Sequence, residues 1–158
     1  MSGFARRTSS KARRVSAFAL ALFLSAPPIP AAELPLLLGT IGADNASAAV
    51  QAELRLLFHR ELSSTELTRI RTEQRYVLAA TLVRLDSVRS PHAVRATCVV
   101  SVALLRGRGT LFAVLRGRAT AEDESSPADI VESDALRAAV HSVMARIPSA
   151  LRAAEREK

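Results

Sequence analysis

With 158 residues the chain can hold one domain with a real core, and 49% hydrophobic but only 4% aromatic residues mean that Ala, Leu and Val build it. A formal net charge of +7 invites a nucleic-acid reading. Its distribution argues the other way. Arg6, Arg7, Lys11, Arg13 and Arg14 crowd residues 1–32 with no acid, and without those five the remainder carries about +2, too little for a phosphate-binding surface.

Residues 1–32 have the order of a signal peptide. A basic stretch ending at Arg14 precedes an apolar run over 15–26, then Pro27, Pro28 and Pro30, then Ala31-Ala32. The run is short for a bilayer span, and the prolines break any longer helix. Ile29 stands where a cleavable leader wants a small residue, so an uncleaved anchor stays open as the alternative. No cysteine near the cleavage region is available for a lipid anchor. The expected location is periplasmic or secreted, or else inner-membrane anchored, with membrane contact only through an uncleaved leader. A single small α+β domain is expected over 33–155, with a frayed tail at 156–158.

Leu34 to Ile41 is a short apolar run that suits a strand or an extended linker. Asp44, Asn45 and Ser47 are N-cap candidates for a helix whose apolar positions are Val50, Leu54, Leu57, Phe58 and Leu62. Ser63-Ser64-Thr65-Glu66 has the form of a capping box that opens a further helical turn. Tyr76 to Ser87 alternates as a strand, with Val77, Ala79, Thr81, Val83 and Leu85 on one side and Leu78, Ala80, Leu82, Arg84 and Asp86 on the other. Which side faces inward stays open. Ser90-Pro91 marks the connection that follows.

The centre of the chain is a glycine hairpin. A two-residue loop at Gly107-Arg108 pairs Leu104 with Leu111, Val102 with Ala113, Val100 with Leu115, Cys98 with Gly117 and Ala96 with Ala119. These positions share one uncharged face, which is expected to be the packed one. Glu122 to Pro127 reads as a solvated acidic loop without the spaced ligands and glycine of a calcium site. Ser133 or Asp134 is expected to cap a last helix with Leu136, Val140, Val143, Met144, Ile147 and Leu151 on its apolar stripe, and Pro148 is expected to end it after Ile147.

No constellation carries chemistry. Cys98 is the single cysteine, on the packed face, so it reads as a small core hydrophobe. His59, His92 and His141 lie on different elements without metal-ligand spacing. No Gly-x-Ser-x-Gly elbow or phosphate loop is present. Catalytic, cofactor and metal residues are therefore expected to be none. One surface stands out: Phe112 and Val114, with Val99, beside Arg116 and Arg118 on the outer hairpin face, a composition suited to partner binding. A monomer in which another segment covers that face is the equal alternative.

The segments 34–41, 46–62, 76–85, 96–104, 109–119 and 134–147 run strand, helix, three meander strands, helix. That order resembles small α/β domains of bacterial envelope proteins: the curli-secretion channel subunit, the lipoprotein activators of penicillin-binding proteins, and the amino-terminal domain of the Tol–Pal periplasmic protein. The resemblance rests on element order and apolar pattern, and the chain departs from it in having no lipidated cysteine. It implies a β-α-β-β-β-α fold with a three-stranded antiparallel meander covered by two helices. It further implies an exported, non-enzymatic protein acting through contacts with envelope proteins. A small exported hydrolase with a site near the 86–92 loop, using Asp86 or His92, is the alternative.

Overall fold

The glycine hairpin is present, two residues out of the expected register. In the computed structural model, which describes residues 36–43, 46–65, 75–107 and 109–156, strand β3 (Val94–Arg106) and strand β4 (Thr110–Asp123) pair antiparallel. Leu104 faces Ala113, Val102 faces Leu115, Val100 faces Gly117 and Cys98 faces Ala119. Two local features move the register. The loop spans residues 107–109 rather than 107–108, with Gly107 at φ 53° and Gly109 at φ 100°, a left-handed region that other residues enter at a cost. Phe112 then has no partner on β3, because Leu104 pairs with Ala113 and Leu105 with Leu111. The combined shift of two keeps side-chain parity beyond the bulge, so the packed face is the expected one. Before the bulge parity is reversed. Leu111 lies beside Leu105 on the outer face, and Phe112 packs against the core, correcting the expected placement of both.

Strand β2 (Tyr76–Arg89) pairs antiparallel with β3 and settles the open orientation: Tyr76, Leu78, Ala80 and Leu82 are buried. Val83 is a second bulge, since Leu82 pairs with Val100 and Arg84 with Val99. Past it the faces exchange, so Leu85 joins the core side instead of following Val77 and Ala79. The turn after β2 is tight. Ser90 donates its backbone N–H to the Ala93 carbonyl at 2.8 Å, and its Oγ accepts from the Ala93 N–H at 3.0 Å.

The apolar run near the start is a strand. β1 (Leu36–Gly42) lies parallel to β2, so the sheet has four strands in the order β1-β2-β3-β4 and is mixed. A parallel neighbour requires a crossover, and helix α1 (Ala48–Ser64) supplies it. Ser47 is the N-cap, its side chain accepting from the Val50 N–H at 3.3 Å, which leaves Leu54, Leu57, Phe58 and Leu62 on the buried side. The hydroxyls read as a capping box instead close this helix. Ser63 donates to the His59 carbonyl, and Ser64 and Thr65 donate to that of Glu61.

Helix α2 (Ala128–Met144) begins six residues earlier than the expected Asp134 cap, with Pro127 as its N-cap. Ser133 and Asp134 are therefore inside it. Ser133 donates to Glu53 of α1, and Asp134 accepts from Arg137 at 3.1 Å. Pro148 acts one turn before itself. It has no N–H for the Met144 carbonyl, so α2 stops at Met144 and helix α3 (Ile147–Arg156) starts with Pro148 in its first turn. Residues 148–156, beyond the expected end of the last helix, are helical, and Leu151 and Ala154 are buried.

The described residues belong to one unit, 32–158. Their core lies between the sheet and the helices, with α2 over β3 and β4 and α1 beside β1 and α2. Gly117 is where α2 comes closest: a Cβ there would sit 2.2 Å from the Ala139 carbonyl oxygen. The fold is thus α+β with two covering helices in the expected β-α-β-β-β-α order, with β1 paired in parallel at one edge of the meander and α3 added at the end. The signal or anchor read over 1–32, the caps Asp44 and Asn45, the further turn from Glu66, Arg108 and residues 157–158 lie outside the described residues.

Candidate functional site

One face of the sheet is packed, and among the described residues no helix lies on the other. Its side chains follow from the register. At the hairpin end Leu37, Val77, Leu105 and Leu111 form a row across all four strands, and Ala79, Ala103 and Val114 form the next. Leu37, Leu111 and Val114 are 50%, 58% and 53% exposed, a large apolar area to leave in water. Further along, Thr81, Ser101 and Arg116 share a row, followed by Arg84, Val99 and Arg118. The far end is polar, with Asp86 beside Thr97 and Thr120, then Val88 beside Arg95 and Glu122.

Charges on this face are mostly compensated. Arg84 pairs with Asp86, and Arg95 Nη2 lies 2.7 Å from Glu122 Oε2. The guanidinium groups of Arg116 and Arg118 make no ion pair or hydrogen bond with the described residues, and both are exposed. The free side of β4 is guarded at the same level, where Arg146, between α2 and α3, donates to the Arg116 carbonyl at 3.0 Å. That contact occupies a backbone group through which a further strand would pair. The face is open where this part of the edge is not.

Of the five residues singled out from sequence, Val99, Val114, Arg116 and Arg118 stand together here. Phe112 does not. Its ring centroid lies 5.9 Å from that of the buried Tyr76, the rings tilted at 53°, and the Arg106 guanidinium carbon lies 5.2 Å from it, all on the helix side of the sheet. Leu37, Val77, Leu105 and Leu111 were missed. The alternation of β2 already grouped Val77 with Ala79, but only the pairing of β1 and the bulge at Phe112 complete the row.

The remaining chemistry-bearing residues are dispersed. His92 is exposed in the β2–β3 turn, and no hydrogen bond joins it to Asp86 among the described residues. His141 Nδ1 lies 3.1 Å from Glu61 Oε2 and links α2 to α1. No group of three His, Cys, Asp or Glu side chains suited to a metal occurs among the described residues. In the acidic loop, Asp123 Oδ1 accepts from the N–H groups of Ser125 and Ser126 at 2.7 and 2.8 Å, which holds its carboxyl below the usual range. This turn is stabilised above the ordinary carboxylate pKa and loses that support as pH falls through the lowered value. An open cleft of about 620 Å³ lies where the Val83 bulge meets the start of α1, lined in part by Ser47, Val50, Arg84, Asp86 and Glu132. Glu132 there accepts from Ser87.

Cys98 is buried, and burial pushes its thiol from 9.0 to about 12. The folded chain is expected to resist a thiol reagent at pH 8 and to react at the rate of a free thiol once denatured. Equal rates in both states would contradict the burial. Because the folded value is the higher one, the neutral thiol's contribution to stability is complete below about pH 9 and is lost as pH rises towards 12. The Cys98→Ala variant is expected to show a flatter decline across that window in denaturation midpoints.

These observations define a class: a small α+β domain with a mixed four-stranded sheet, helices on one side and an aliphatic, arginine-bearing face on the other. Neither a protein-family model nor a curated protein sequence matches the chain. Solved structures do match in fold. The hypothetical protein CT253 from Chlamydia trachomatis aligns at a TM-score of 0.58 and 11% identity, over 75% of this chain and 97% of that one. The Xanthomonas campestris protein XCC0632, of family DUF330, aligns at 0.54 and 15% identity, over 77% and 86%. A minor lipoprotein from Acinetobacter baumannii aligns at 0.44 and 12% identity over 77% and 93%, a value too low to bear on the relation. The likeness is one of fold, shared with bacterial proteins. None of these three structures bears the name of the curli-secretion, penicillin-binding-protein activator or Tol–Pal families. No helix among the described residues is long and apolar enough to cross a membrane.

Proposed function

We propose that this chain is an exported, non-enzymatic protein of a Gram-negative-type cell envelope that works by docking other envelope proteins on the open face of its sheet. The observation that carries the reading is the pair of aliphatic rows from Leu37 to Leu111 and from Ala79 to Val114 on the open face of the sheet, where Leu37, Leu111 and Val114 are exposed. A sheet normally buries both faces or makes the second one polar. Here the second face is aliphatic in the two rows at its hairpin end and becomes polar beyond them. The secretory order of residues 1–32 supports export.

The test uses the full chain, expressed in a Gram-negative host with a photo-crosslinking residue at position 114 or, as a control, at exposed position 56 on α1. A product in the periplasmic or membrane fraction, with adducts from position 114 and none from 56, is expected. Full-length product confined to the cytosol removes the export premise, and equal adducts from both positions remove the docking face. The mass of the mature amino terminus separates a cleaved leader from a retained anchor.

A further inference from the structure

Resting on that docking reading, we infer that the partner presents an amphipathic helix with an acidic flank, seated along the open face with its carboxylates against Arg116 and Arg118. The charge inventory carries the inference. Of the ionic groups that the register places on this face, Arg84 is paired with Asp86 and Arg95 with Glu122, whereas Arg116 and Arg118 face outward without a partner among the described residues. They lie two residues apart on one strand and one face, which spaces their Cα atoms by about 7 Å. Residues at i and i+4 on one flank of a helix have Cβ atoms about 5–6 Å apart, a comparable spacing within reach of both side chains. Beside the two arginines the face is aliphatic, the complement of a helix's apolar stripe.

A strand is the poorer occupant, because Arg146 already holds the Arg116 carbonyl on the free side of β4. An anionic lipid surface is also the poorer occupant. Headgroup recognition gathers about four to eight cationic side chains on one patch, and here two are uncompensated.

The experiment titrates the purified full chain with two capped synthetic helical peptides of about 20 residues. Both carry leucine along one face; one has glutamate and the other lysine on the flank. Vesicles of phosphatidylglycerol form a third arm. The glutamate peptide is expected to bind about tenfold tighter than the lysine peptide, the gain that two rim ion pairs supply, and to weaken as salt rises. In the Arg116→Glu/Arg118→Glu double variant the preference reverses. Both positions are exposed, so the variant's melting temperature is expected to match the parent's, which separates charge from folding. Equal binding of the two peptides, or a preference that survives charge reversal, overturns the acidic partner. If adducts still form at position 114 in cells, the docking face stands without it. Vesicle binding that the double variant abolishes, with no discrimination between peptides, overturns the inference in favour of a lipid surface.

Discussion

Gly117→Ala is expected to destabilise the protein by about 3 kcal/mol, at the upper end of what overpacking costs. The methyl group would lie 2.2 Å from the Ala139 carbonyl oxygen and 3.1 Å from Val143 Cβ. The nearer obstacle is backbone, inside a helix, and cannot rotate away as a side chain would. Relief requires α2 to lift from β4, which loosens Ala139, Val140 and Val143 over the sheet, all of them buried. A domain holding about 5–15 kcal/mol in total loses a large share of its stability to such a change. The control is Gly42→Ala in β1, where a Cβ meets nothing within 4 Å. That variant is expected to be neutral or slightly stabilised, by reducing the freedom of the unfolded chain. Denaturant midpoints read both, and a fall at position 117 with an unchanged slope marks a loss of stability rather than a change in compactness. Equal midpoints for the two variants would mean that α2 does not cross the sheet at Gly117.

How much of this was legible in the sequence depends on which periodicity a residue obeys. The alternation Ala96, Cys98, Val100, Val102, Leu104 announces a packed strand face, and all five are buried. The register was not legible, because a bulge leaves no compositional mark. Phe112 looks like any strand residue, yet leaving it unpaired moves Leu111 out and itself in. Val83 does the same on β2, so Leu85 turns inward and Arg84 outward. Parity survives in β4 only because the longer loop and the bulge each add one residue. Helix limits failed for a related reason. Ser133 and Asp134 have side chains that can bond to backbone and so read as caps, but α2 opens at Pro127 with no side-chain cap and uses Ser133 to reach Glu53. The candidate site was half legible. Val114, Arg116 and Arg118 follow from alternation along one strand, while Leu37 enters only through the parallel pairing of β1, a contact between segments that local pattern cannot announce.

The second large effect belongs to Phe58, whose replacement by alanine is expected to cost about 3–5 kcal/mol. With aromatics at 4% of the chain, the core is assembled from small and branched aliphatic residues, and Phe58 and Tyr76 are its two largest fully buried side chains. Phe58 is 0% exposed on the face of α1 that meets the rest of the core. Removing the ring leaves a void in the core, so the lost transfer energy and the cavity add. Two residues earlier on the same helix, Leu56 is 69% exposed, and Leu56→Ala is expected to change stability by no more than about 0.5 kcal/mol. The pair therefore tests orientation and not only hydrophobicity: two apolar residues on one helix, one inside and one outside. In thermal unfolding the Phe58 variant is expected to melt on the order of 10 °C or more below the parent, and the Leu56 variant within about 2 °C of it. Comparable losses at both positions would place the two side chains in similar surroundings and rotate α1 away from the face described for it.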